Sequence, residues 1–107
     1  FMRLRCARLL SEQGYEVAEA QNGLEAVEVY RQSRPDAVLM DITMPEMDGL
    51  TALRQIKQLD PNARVAMLTA LGQQGIVLEA VKAGARDFIV KPFEAERVLA
   101  AVRRILS

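Results

Sequence analysis

Short apolar runs alternate along the chain with longer segments whose apolar residues recur at helical spacing. Three of these runs end in a polar residue: Asp41 closes the first, Thr69 the second and Lys91 the third. Bounded apolar runs of this length indicate buried parallel strands. The carboxyl ends of parallel strands share one edge of a sheet, where ligands bind. A carboxylate, a hydroxyl and an ammonium group are therefore expected to meet at that edge.

Helical spacing predicts five helices between and around the strands. The first stops at Gly14, the second ends before Pro35, and a turn at residues 60–62 follows the third. The apolar residues at helical spacing in the middle three helices are Leu24, Val27, Tyr30, Ala52, Ile56, Leu59, Val77, Ala80 and Val81. In the last helix Val98, Val102 and Ile105 are expected to face the core.

One further extended run, residues 15–20, is interrupted by Glu16 and Glu19 and is expected to be an edge strand. With it, four strands alternate with five helices, beginning and ending on a helix. Such alternation predicts an α/β fold with a doubly wound parallel sheet.

The composition narrows the class of protein. A chain of 107 residues, half of them hydrophobic, predicts one domain with a core of its own. The 14 basic and 14 acidic residues cancel, which argues against direct nucleic-acid or membrane binding. The chain has no histidine, and Cys6 is its single cysteine, so zinc, haem and serine-triad chemistry are poorly supplied. We expect a cytoplasmic protein, since no signal-peptide pattern is present.

The three strand-end residues are weak signals when each is taken alone. Asp41 could be a cap or turn former, Thr69 a β-branched strand residue, and Lys91 a solvated charge. Their shared position at one sheet edge favours a functional interpretation. A nucleophile, a hydrogen-bond donor and a cation are the groups that phosphoryl transfer to a carboxylate requires.

Three separate motifs resemble one known family. Asp41 with residues 44–49 (MPEMDG), then Thr69-Ala70, then residues 91–93 (KPF), are similar to the receiver domain of bacterial two-component response regulators, especially the single-domain chemotaxis type. The resemblance implies a flavodoxin-like fold with strand order 2-1-3-4-5. Residues 1–107 would then form one receiver domain, incomplete at its amino-terminal end.

The resemblance also implies a chemistry. Asp41 would accept a phosphoryl group from the phosphohistidine of a sensor histidine kinase. Mg²⁺ would bind the Asp41 carboxylate and the backbone carbonyl of Thr43, Lys91 would pair with phosphate oxygens, and the Thr69 hydroxyl would move to bond one of them. Phe88 would turn inward as Thr69 moves. Such a protein is not an enzyme, apart from self-catalysed phosphorylation and dephosphorylation.

Two departures from the family pattern stand out. Phe88 occupies a position where many chemotaxis-type members have tyrosine. The family's first strand, which ends in two acidic Mg²⁺ ligands, has no counterpart in these 107 residues, so the remaining acidic ligands are absent from this chain. We expect an upstream segment of a longer chain to supply both. A strand inserted by another chain, giving a strand-swapped or complemented assembly, and direct pairing of residues 15–20 with residues 36–41 are the alternatives. The Lys91–Pro92 bond is predicted to be cis.

The output of such a switch would be a changed surface on the helices around residues 77–83 and 94–105, which would bind a downstream effector protein. Two other functions remain open. The first is a pseudo-receiver that binds proteins without being phosphorylated. The second is a phosphohydrolase of the haloacid dehalogenase type, because residues 41–43 (DIT) resemble its nucleophile motif.

Overall fold

A computed structural model describes residues 2–41, 49–70, 74–91 and 93–107 of the chain. The predicted cis bond before Pro92, and Thr43 with its predicted carbonyl ligand, lie outside the described residues. The described part contains five helices, α1 (Met2–Glu12), α2 (Gly23–Ser33), α3 (Gly49–Leu59), α4 (Gln74–Lys82) and α5 (Ala95–Leu106). Its three strands are β1 (Val38–Asp41), β2 (Val65–Ala70) and β3 (Asp87–Lys91).

The three strands form a parallel sheet in the order β1-β2-β3. Asp41 pairs with Leu68 across the first ladder, while Thr69 pairs with Val90 and Ala70 with Lys91 across the second. These strands correspond to the third, fourth and fifth strands of the order implied by the resemblance. All three apolar runs therefore form strands that end at one edge, as the sequence predicts.

The fourth predicted strand is absent. Residues 15–20 take no regular structure, and no ladder joins them to β1 within the described ranges. The prediction of an edge strand there is wrong, because a strand is defined by bonds to a neighbour. In the expected order its neighbour is the family's first strand, not β1. Direct pairing of residues 15–20 with residues 36–41, one of the alternatives considered above, is accordingly not observed.

Helices cover both faces of the sheet. One buried cluster joins α2, α3 and α4 to β1 and β2: Val27, Tyr30, Met40, Ala52, Leu53, Ile56, Ala63, Val65, Met67 and Ala80. On the opposite face Leu68 and Ile89 pack with Val98 and Ala101 of α5, and Leu9 of α1 lies against them. Because strand side chains alternate between faces, Thr69 and Phe88 point to the α4 side, whereas Asp87 and Lys91 share the α5 side with Ile89.

Most predicted core positions are confirmed, including Val98, Val102 and Ile105, which are all buried. Leu24 and Val81 are exceptions, at 50% and 51% exposed. Each lies at the margin of an apolar stripe, where helical spacing alone cannot separate the buried side from the exposed side. None of the described helices combines the length and apolar character needed to cross a membrane.

The predicted ends of α1 and α2 are confirmed, and the structure shows how α2 begins. Gly14 follows α1 with a φ of +89°, a left-handed conformation that glycine adopts without strain. The side chain of Asn22 caps α2 by accepting a hydrogen bond from the backbone N–H of Glu25 at 2.8 Å. The second helix ends at Ser33, and its C-cap Arg34 directly precedes Pro35.

Candidate functional site

An ion pair joins the ends of β1 and β3 at the carboxyl edge of the sheet. The Nζ of Lys91 donates to Oδ2 of Asp41 at 2.6 Å, although the two residues are far apart in the sequence. Each strand places its last residue at this edge, so the pair follows from the ladder register. The expected meeting of this carboxylate and this ammonium group is thus observed.

The pair is accessible from solvent. The side chain of Asp41 is 31% exposed and that of Lys91 is 20% exposed. A reactant can therefore reach the carboxylate, while partial burial strengthens the attraction of the ammonium group for anionic oxygens. A carboxylate nucleophile beside a fixed cation can attack a phosphorus centre and neutralise the charge that develops on its oxygens.

Thr69 is buried near the carboxyl end of the central strand. It is 1% exposed, and its neighbour Leu68 is the ladder partner of Asp41. Its side chain belongs to the same face of the sheet as Val90 and Phe88 on the neighbouring strand. Thr69 therefore lies on the strand between the two that end in the ion pair, and its side chain is on the same face of the sheet as Phe88.

Apolar side chains are exposed on β3 and on the helix before it. Phe88 is 40% exposed and Val90 is 37% exposed, although both belong to a strand. On α4, Ile76, Leu78 and Val81 are exposed by 38%, 56% and 51%. Exposed apolar side chains on adjacent elements are typical of protein-binding surfaces.

The structure adds two residues to the neighbourhood of Phe88 that the sequence analysis missed. Arg97, in the first turn of α5, reaches Asp87 at the start of β3 and the backbone carbonyl of Phe88. Burial alone would raise the pKa of the Asp87 carboxyl, but hydrogen bonds from Arg97 and from the Phe88 N–H outweigh it and hold that pKa below its usual value. The sequence held one signal for this contact: an acidic residue stands at the start of a predicted strand, and an arginine stands near the start of the next helix.

The donor set near Asp41 fits a weakly chelated Mg²⁺. No group of three or more acidic, histidine or cysteine side chains suited to a metal occurs within the described ranges. Mg²⁺ is commonly held by one or two carboxylates, with phosphate oxygens and waters completing its shell. Asp41 supplies one such carboxylate at an accessible edge.

Comparison with known proteins identifies the fold and the family. The family model for the response regulator receiver domain matches residues 1–103 of this chain. The chain belongs to this family. The chemotaxis protein CheY of Bacillus subtilis is 56% identical to this receiver domain over the whole chain and 90% of its own length.

Solved receiver domains share its fold. The receiver domain of NtrX from Brucella abortus has a TM-score of 0.94 at 33% identity, covering 98% of this chain and 89% of its own. CheY in the CheX–CheY–BeF₃–Mg²⁺ complex from Borrelia burgdorferi has a TM-score of 0.92 at 38% identity, covering 100% of this chain and 82% of its own. The predicted flavodoxin-like parallel α/β fold is confirmed.

Membership of the family favours one of the functions left open by the sequence. The chain is a phosphoacceptor signalling switch of the chemotaxis type, and the pseudo-receiver alternative is not favoured. Receiver domains are switches and not classical enzymes, so the family match gives no support to a phosphohydrolase. They are phosphorylated by histidine kinases with Mg²⁺ and bind other proteins.

Proposed function

We propose that Asp41 is the phosphoacceptor of this receiver domain and that Lys91 binds the transferred phosphoryl group. The 2.6 Å contact between Lys91 Nζ and Asp41 Oδ2 is the observation that carries the proposal. It joins a nucleophile and a cation at the sheet edge where ligands of parallel α/β folds bind. We infer that the donor is the phosphohistidine of a sensor kinase.

The transfer needs little from the protein beyond position and charge. An oxygen of Asp41 forms a P–O bond while the P–N bond of phosphohistidine breaks, and the electron pair leaves with the imidazole nitrogen. Lys91 exchanges its contact with Asp41 for one with a phosphoryl oxygen, because that oxygen now carries the negative charge. Mg²⁺ bound through Asp41, with the Thr43 carbonyl as a further ligand, would neutralise the remaining oxygens.

The switch runs from Thr69 to Phe88 in this proposal. A phosphoryl group at Asp41 can shift a conformational equilibrium only through contacts that differ between the two states. The hydroxyl of Thr69 is a hydrogen-bond donor at the end of the neighbouring strand and can bond a phosphoryl oxygen. Its movement leaves space on the α4 face of the sheet, and the half-exposed ring of Phe88 turns into that space.

The output surface consists of the helices around residues 77–83 and 94–105. The exposed apolar residues of α4 and β3 support this choice, since burial of Phe88 changes the surface beside them. The partner is a downstream effector protein, which would bind one state of Phe88 more tightly than the other. In the Borrelia complex, CheY is bound to the protein CheX in the presence of BeF₃ and Mg²⁺.

The proposal is tested on a form of the protein that carries the acidic pair expected upstream, by incubating it with acetyl phosphate and Mg²⁺ and measuring its intact mass. We expect the mass of one phosphoryl group to be added, and removal of Mg²⁺ with EDTA to abolish the gain. A gain that persists in EDTA would contradict the Mg²⁺ assignment. No gain under any condition, with the fold intact, would favour the pseudo-receiver instead.

A further inference from the structure

Side chains hold both peptide groups that flank the Cα of Phe88. The Phe88 N–H donates to Oδ1 of Asp87 at 2.8 Å, and the Phe88 carbonyl accepts from Nη2 of Arg97 at 2.6 Å. In the sheet of the described residues β3 is the last strand, and side chains rather than a further strand bind these two groups. Asp87 and Arg97 of α5 therefore fix the backbone of Phe88 at the edge of β3, the edge at which a further strand could otherwise pair.

The guanidinium of Arg97 is itself anchored. Nη1 donates to Oδ2 of Asp87 at 3.3 Å and Nη2 donates to Oδ1 at 3.2 Å, which makes the pair bidentate. The side chain of Asp87 is only 7% exposed, and its lowered pKa keeps it ionised at neutral pH. Bidentate pairing of arginine with a carboxylate fixes orientation as well as distance. We call this arrangement of Arg97, Asp87 and the Phe88 backbone the clamp.

The clamp bears on the side chain of Phe88 through the backbone. The rotamers open to a side chain depend on its φ and ψ angles, which the two held peptide groups restrict. Phe88 is 40% exposed, and moving its apolar ring out of water would lower the free energy. A restriction at the backbone of Phe88 opposes this inward movement of the ring, and the clamp supplies such a restriction.

We propose that Arg97 is a positioning residue for Phe88, which keeps the ring outward in the unphosphorylated chain by holding the backbone of Phe88 against Asp87. The inference rests on the proposed function, in which Phe88 is the switch residue. Because Arg97 belongs to α5, the clamp also connects a movement of Phe88 to one of the helices of the output surface.

The test is ¹⁹F NMR of the unphosphorylated chain labelled with 4-fluorophenylalanine. The chain has three phenylalanines, so the Phe88 signal is assigned by its loss in Phe88→Leu. In Arg97→Ala we expect the Phe88 signal to move and its solvent accessibility to fall. The ratio of inward to outward ring should rise about tenfold, the effect of losing one net hydrogen bond to a charged group. Asp87→Asn should move the signal in the same direction by less, since it keeps one acceptor oxygen.

Two controls separate positioning from general loosening of the fold. Arg103 is an exposed arginine of the same helix, and Arg103→Ala should leave the Phe88 signal in place. Phe93 packs against the buried cluster under α5, so its signal should stay fixed when only the clamp is lost. The proposal is overturned if Arg97→Ala and Asp87→Asn leave Phe88 unchanged, or if Phe93 and Phe88 move together.

Failure of the clamp and failure of the proposed function give different results. The ¹⁹F comparison needs no phosphorylation, so it judges the clamp even in a chain that takes up no phosphoryl group. If Arg97→Ala does not fold, Arg97→Lys replaces it. That variant keeps the charge but loses the planar fork, and we expect a smaller shift of Phe88 in the same direction. An unchanged Phe88 signal in a folded Arg97→Lys chain would count against the clamp.

Discussion

Asp41→Asn, made in the form that carries the acidic pair, folds like its parent and takes up no phosphoryl group from acetyl phosphate and Mg²⁺. The amide is nearly the same size as the carboxylate and can still accept a hydrogen bond from Lys91, so the strand end is preserved. It is, however, a far weaker nucleophile, and it cannot form the acyl phosphate. The expected loss is complete, and intact mass after incubation measures it.

The matched control is Asp36→Asn. Asp36 is exposed and lies just before β1, so it offers a carboxylate near the same strand but at the opposite end. Its variant should gain the same mass as the parent chain. Labelling of Asp41→Asn to the level of the parent would show that another residue is the acceptor.

Thr69→Ala is phosphorylated but no longer transmits the signal to Phe88. The substitution leaves the nucleophile and Lys91 in place and removes the hydroxyl that is proposed to bond the phosphoryl oxygen. We expect uptake within about threefold of the parent, a difference too small to represent the loss of a transition-state contact. The movement of the Phe88 ¹⁹F signal on phosphorylation should disappear.

Thr69→Ser controls for the loss of the hydroxyl as opposed to the loss of volume. Thr69 is buried, so both variants remove a methyl group from the same packed position, but only serine keeps the donor. The serine variant should retain the movement of Phe88 on phosphorylation. If the alanine variant also retained it, the route from Thr69 to Phe88 would be wrong.

The sequence was sufficient to predict the part of the fold that carries the site. Asp41, Thr69 and Lys91 each close a bounded apolar run, and the geometry of a parallel sheet then dictates that the strand ends share an edge. The ladder register then brings Lys91 and Asp41 close enough for their 2.6 Å contact.

Other features depended on contacts that a local pattern does not contain. Residues 15–20 have the alternation of an edge strand, but strand formation also requires a partner at the right distance. Leu24 and Val81 fit their helical stripes and are exposed, because the width of a stripe is set by the element it packs on. The clamp was missed because Asp87 and Arg97 become neighbours only when α5 packs on β3.

The measurement that tests the central claim most directly is the location of the phosphoryl group in the protein without substitutions, in the form that carries the acidic pair. Borohydride reduces an acyl phosphate to an alcohol and so converts a phosphorylated aspartate into homoserine. After acetyl phosphate, Mg²⁺ and borohydride, peptide sequencing by mass spectrometry should find homoserine at position 41 alone. Homoserine at Asp36, Asp48 or Asp60 with Asp41 intact would contradict the assignment of Asp41 as the phosphoacceptor.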